Sequence, residues 1–180
     1  MKKNVFSFFL FVFVVSTSSA QVTQVDKKNN ALSVGLYASL GGFSDSHIMG
    51  AGIDYWWKPF HPYKDSNDSK QIAFAINGGA HYFFGKHVIV NSYGFKFSNF
   101  LDMHIMPGFL YQPLKRSIIQ LSAGPNANLY KQNIRVGVGA NFFTSYYLTE
   151  KISAGPAIHF RKFSNTAALW SGGIAASCFF

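Results

Sequence analysis

Trp170-Ser171-Gly172-Gly173-Ile174-Ala175-Ala176-Ser177-Cys178-Phe179-Phe180 closes the chain. Trp170, Gly172, Ile174, Ala176, Cys178 and Phe180 share one side of an extended segment. Ser171, Gly173, Ala175 and Ser177 share the other, with Phe179 the exception. A period of two marks a β-strand whose faces meet different surroundings. The same alternation recurs upstream near 32–41, 49–57, 72–82, 100–111, 119–129, 134–143 and 152–161. In the first of these, Leu32, Val34, Leu36, Ala38 and Leu40 oppose Ser33, Gly35, Tyr37, Ser39 and Gly41. In the fourth, Leu101, Met103, Ile105, Pro107, Phe109 and Tyr111 oppose Asp102, His104, Met106, Gly108 and Leu110.

Eight such segments meet or nearly meet the roughly 9–11 residues that a tilted membrane strand requires. A soluble sandwich also alternates, but its wet face carries many Lys and Glu. Here Glu150 is the only glutamate, and the second face is Ser, Asn, Gln and Gly with a few charges. Such side chains suit the narrow bore of a small barrel. Lipid leaves no water for unpaired backbone groups, so the sheet must close. The sequence therefore predicts an all-β fold, a transmembrane antiparallel up-and-down β-barrel of eight strands. An even count returns both termini to one side, the periplasmic one. Pro107, Pro125 and Pro156 each remove a ladder donor, so a bulge or a strand end is expected near each.

Lys2 and Lys3 precede an apolar run from Val5 to Val15, followed by small and polar residues to Ala20. That order is a secretory signal peptide over 1–20, cut after Ala20, leaving 21–180 as the barrel domain. The predicted address is the cell outer membrane. The 180 residues carry 16 Lys and Arg against 7 Asp and Glu, a net charge of +9. Most lysines fall at strand ends or loops, and no compact basic stripe points to nucleic acid. Cys178, the one cysteine, excludes an internal disulfide and belongs to the lipid-facing set.

Tyr55, Trp56, Trp57, Phe60, Tyr82, Phe83, Phe84, Tyr111, Tyr146, Tyr147, Trp170, Phe179 and Phe180 fall near strand ends, where interfacial aromatic girdles belong. Residues 58–69 read as a loop. The stretch 85–99 admits two readings, a strand projecting beyond the bilayer or a separate hairpin arm. Tyr93 to Phe100 and His61-Pro62-Tyr63 are aromatic and polar, fit to contact a partner.

The inward parity set includes Asp54, Asp102, His104, Arg135, His159 and Arg161. A buried charge needs a partner, so these are expected to form a salt-bridged lumen network. A proton path or small-solute pore is the functional alternative. No pair among His47, His61, His81, His87, His104 and His159 has the spacing of a metal site, so no metal and no cofactor is expected.

Signal, eight alternating strands and terminal phenylalanine resemble small outer-membrane barrels of the OmpX, OmpA-barrel and PorT-like type. Ala20-Gln21 and the Gly155-Pro156…Arg161 stretch add to the likeness. The resemblance gives Phe180 the role of the signal read by the barrel-assembly machinery. It implies a monomer among outer-membrane lipid and lipopolysaccharide, with a structural or surface-binding role. It does not fix an activity. Outer-membrane lipid A deacylases carry a His-x-Ser-Asn motif late in an eight-stranded barrel. Here Ser164 and Asn165 match, but Lys162 stands where the histidine belongs and His159 lies three residues upstream. A serine needs an adjacent base to become a nucleophile. A lipid A-modifying hydrolase using Ser164 and His159 is therefore the enzyme alternative, and the main expectation is no enzyme.

Overall fold

A computed structural model describes residues 30–60, 63–64, 71–90, 93–164 and 166–180. The signal peptide expected over 1–20 and much of the 58–69 loop, His61 and Pro62 included, lie outside the described residues. Eight long strands form the wall: β1 (Ala31–Leu40), β2 (His47–Trp57), β3 (Gln71–Gly85), β4 (Phe100–Leu114), β5 (Ser117–Tyr130), β6 (Asn133–Tyr147), β7 (Ile152–Phe163) and β8 (Leu169–Phe179). A two-residue strand, Tyr63–Lys64, flanks the start of β3. No described helix is long and apolar enough to cross a membrane.

Each strand pairs antiparallel with its sequence neighbours, and β1 pairs with β8, so the sheet closes. Ala31 stands opposite Phe179 at this seam, and Leu40 opposite Trp170. The stagger of the wall follows from the register. Ala31 opposes Trp56, Trp56 opposes Asn77 and Asn77 opposes Met106. The level continues through Gly124, Gly139, Arg161 and Leu169. It returns to β1 at residue 41, ten positions beyond the start. With ordinary strand spacings, eight strands and this stagger tilt the wall by roughly 40°.

The predicted faces hold along the strands. Leu36 is 72 % exposed, Ile105 64 % and Val138 59 %, while the intervening Ser33, Asn77, Asp102 and Ser177 are buried. In a closed barrel this exposed band is the lipid face. The aromatic girdle is smaller than expected. Tyr55, Trp57, Tyr82, Phe84, Trp170 and Phe180 are exposed, but Trp56, Phe83, Tyr147 and Phe179 are buried inside. Position near a strand end does not choose a face; parity does, and these four have inward parity.

The prolines cause no bulge and sit at no strand end. Regular pairing between β4 and β5 lapses from His104↔Asn126 to Gly108↔Ser122, around Pro107 and Pro125, with the register unchanged. Pairing between β6 and β7 lapses in the same way beside Pro156. Each proline keeps a regular pair on its other side, with Ile76, Val138 and Ile174 respectively. The wall thus drops a few bonds locally without shifting. The register shifts fall elsewhere, between His47 and Gly50 and between Tyr111 and Leu114.

The stretch after β3 resolves as a hairpin arm. His87–Val90 pairs with Tyr93–Lys96 as a separate two-stranded sheet. Opposite the termini, the barrel mouth also carries the 3-10 turn Gly41–Asp45, the two-residue β5–β6 turn and the β7–β8 loop. Lys131 and Gln132 in the β5–β6 turn have φ of 49° and 64°. Both central residues of such a turn need positive φ, which usually selects Asn-Gly.

The lipid face yields a direct test. Leu36→Arg is expected to destabilise the barrel in phospholipid vesicles by about 2–4 kcal/mol, read from urea unfolding followed by tryptophan fluorescence. A surface leucine of a water-soluble sheet would tolerate the same change.

Candidate functional site

Inside the wall, side chains stack in three strata. Near the termini Ala31, Trp56, Ala73, Ala75, Leu110, Ile118, Tyr147 and Phe179 form an apolar plug. Near the arm Phe43, Phe83, Phe100 and Phe163 form a second, aromatic one, in a cluster that runs down beside the polar residues through Tyr37 to Ala157, Ala175 and Phe143. Between them lies a buried polar cluster.

Arg161 on β7 is the hub of that cluster. Its Nε donates to Asp102 Oδ2 at 2.6 Å. Its Nη1 donates to Asn141 Oδ1 at 2.7 Å and to the Phe160 and Ala140 carbonyls at 2.8 and 3.1 Å. Because Asn141 Oδ1 accepts from Arg161, its Nδ2 is left to donate to Asn77 Oδ1, at 2.7 Å. Asn77 Oδ1 also accepts from Ser122 Oγ at 3.2 Å and faces His104 Nε2 at 2.9 Å. One charged fork therefore fixes the orientation of two amides. Asn126 Nδ2 donates to the other Asp102 oxygen at 2.9 Å.

Asp54 on β2 belongs to the same stratum. Its Oδ2 lies 3.0 Å from His81 Nε2 and its Oδ1 3.0 Å from His104 Nε2. His81 stacks on His159 with centroids 4.4 Å apart, and Tyr37 packs edge-on against His159 at the same distance. Glycines on the wall make the room. A Cβ on Gly52 would lie 2.1 Å from the His81 ring, and one on Gly79 would lie 2.4 Å from Asp54 Oδ1.

Five of the six predicted lumen residues, Asp54, Asp102, His104, His159 and Arg161, converge here. Arg135 does not. It is exposed on β6 beyond Gly137, the last residue of that strand paired with β7. Inward parity at a strand end that overshoots its neighbour points a side chain into solvent. His81, Asn77, Asn141 and Ser122 were not singled out from the sequence, although parity places all four inward. The register, which puts His81 opposite Asp102 and His159 opposite Asn141, is the missing signal.

The enzyme pairing is not assembled. His159 is buried beside His81 and Tyr37, whereas Ser164 is exposed on the turn after β7. Four strand residues from His159 to Phe163 alone span roughly 13 Å. Asn165 lies outside the described residues.

The arm is anchored and then exposed. Lys86 N donates to Ser46 O at 2.8 Å, Phe97 N to Lys86 O at 2.9 Å, and Gly85 N to Asn99 Oδ1 at 3.1 Å. Beyond that base, Ile89 is 73 % and Tyr93 80 % exposed. Lys131 Nζ from the neighbouring turn lies 5.7 Å from the Phe95 ring centre and 5.6 Å from that of Tyr130. Lys96, Arg135 and Lys162 are exposed at the same end, with Asp45 the exposed acid of the 3-10 turn.

No protein-family model and no curated protein sequence matches the chain. Solved structures do. The attachment invasion locus protein Ail of Yersinia pestis aligns over 86 % of this chain and 99 % of its own, with 8 % identity and a TM-score of 0.54. The outer membrane protein OprG from Pseudomonas aeruginosa aligns over 89 % and 99 %, with 10 % identity and a TM-score of 0.51. At such identities the likeness is one of fold, and that fold is the small outer-membrane barrel.

The buried pair gives a stability cycle. Arg161→Met strands the Asp102 carboxylate and is expected to cost about 3–5 kcal/mol, most of which the added Asp102→Leu restores. Urea unfolding of the four proteins in detergent micelles reads the cycle.

Proposed function

We propose that the protein is an outer-membrane barrel that works by display, with the arm end facing outside the cell and the termini in the periplasm. The observation that carries this reading is the arm. It is rooted in the wall by backbone hydrogen bonds, yet it presents Ile89, Tyr93 and Phe95 to solvent. Exposed aromatics on a rigid hairpin serve a binding surface. The cations Lys96, Lys131 and Arg135 around them favour an anionic partner, such as lipopolysaccharide or another acidic glycan. The fold shared with outer-membrane barrels supports the address, and the resemblance noted for Phe180 supports assembly by the barrel-assembly machinery.

The filled bore argues against the pore. Asn77, Gln120, His81 and Asp102 are at most 1 % exposed, and apolar plugs lie on both sides of them. The cavity beside Phe43, His159 and Arg161 measures about 10 Å³, room for a single water at most. The separation of Ser164 from His159 argues against the hydrolase.

Orientation is tested with single cysteines in a Cys178→Ser background. On intact cells an impermeant maleimide is expected to label Tyr93→Cys and to spare Lys115→Cys; the reverse pattern refutes display. Binding is tested by exchanging residues 87–96 for Asn-Gly, after which retention of a soluble acidic glycan is expected to fall to that of cells lacking the protein. Planar-bilayer recordings of the purified barrel are expected to stay at background; steady single-channel steps would restore the pore.

A further inference from the structure

Beside the Arg161–Asp102 pair, the lumen brings together a second group that sequence spacing does not reveal. Asp54 comes from β2, His81 from β3 and His159 from β7. One ligand atom from each lies within 4.8 Å of the others. All three are buried, at 7 %, 1 % and 4 % exposure.

Two observations mark this group as incomplete. His159 Nδ1 is buried with no hydrogen-bond partner, and a buried polar atom in that state is costly. The second is charge. Among the described residues of the central stratum, Asp54 and Asp102 face Arg161 alone when the histidines are neutral. One negative charge is left over, and a buried charge needs a counter-charge. Arg161 is committed to Asp102, Asn141 and two carbonyls, so the uncovered carboxylate is Asp54.

We propose that the barrel holds a divalent transition-metal ion of the zinc type on Asp54, His81 and His159. Two imidazoles and one carboxylate are a borderline donor set, suited to zinc, cobalt or iron and poorly suited to calcium or magnesium. The ion takes the place of the proton between His81 Nε2 and Asp54 Oδ2 and supplies the missing positive charge. His104 and Asn77, 3.0 and 3.5 Å from Asp54 Oδ1, steady the carboxylate from behind, as outer-shell partners do. A second grouping of His81, Asp102 and His104 is electrostatically unfit. The Arg161 guanidinium bonds Asp102 and lies 3.4 Å from His104 Nδ1, where it repels a cation. Because the aromatic plug covers the site, the ion enters as the barrel folds.

The untagged mature barrel is refolded into detergent with cobalt(II) or zinc(II) and then passed over a chelating resin. The expected result is one retained ion per barrel by elemental analysis, with the visible absorption of four-coordinate cobalt. His159→Phe keeps a ring against His81 but removes both nitrogens, and Asp54→Asn removes the charge. Both are expected to lose the ion, while His87→Ala on the exposed arm keeps it. Heat-modifiable gel migration reports folding of each variant. A wild-type barrel that retains no ion overturns the proposal, the spare charge then being met by a proton on histidine. So does His159→Phe retaining as much as wild type. Where that variant does not fold, the wild-type spectrum decides, and an octahedral aquo-cobalt spectrum refutes the site.

Discussion

Acyl chains neither give nor accept hydrogen bonds, and that lack governs everything else in this molecule. A strand in lipid must find both neighbours within the protein. The pairing of β1 with β8 meets this demand, since it removes the two edges that an open eight-stranded sheet would leave bare. Once the ends are joined, strand number and stagger fix the tilt, and tilt fixes the width of the bore. The three wall prolines show how far the demand can be relaxed. Bonds lapse beside them, but the register on either side is kept.

The interior answers a second question, how to fill a tube whose wall must carry small residues where it is crowded. The solution is layered. Apolar plugs at both ends exclude water, and the polar stratum between them is satisfied largely by its own members. Arg161 sets the orientation of Asn141, and Asn141 that of Asn77, so one long side chain on β7 orders amides on β6 and β3. Glycine at 52 and 79 is the spatial complement of His81 and Asp54. Bulk on one strand is matched by its absence on the next.

The wall was legible in the sequence because alternation is a local property. Leu36 or Ile105 needs only its own neighbours to declare a face. The number of strands and the inward parity of Asp54, Asp102, His104, His159 and Arg161 were legible for the same reason. What stayed hidden depends on register, which no single strand contains. His81 joins the central cluster because β3 and β4 align it with Asp102. Arg135 leaves it because β6 outruns β7. A place near a strand end does not give the face of Trp56, Phe83, Tyr147 and Phe179, which point inward and pack in the plugs.

The inward polar residues have a consequence before the barrel exists. Because a serine, asparagine, glycine or charged group interrupts the oily residues at nearly every second position, no exported strand presents the continuous greasy run that halts a polypeptide in the inner membrane. The alternation that lets the wall face lipid on one side and its own filling on the other thus also denies any single strand the greasy run that would arrest it in a bilayer.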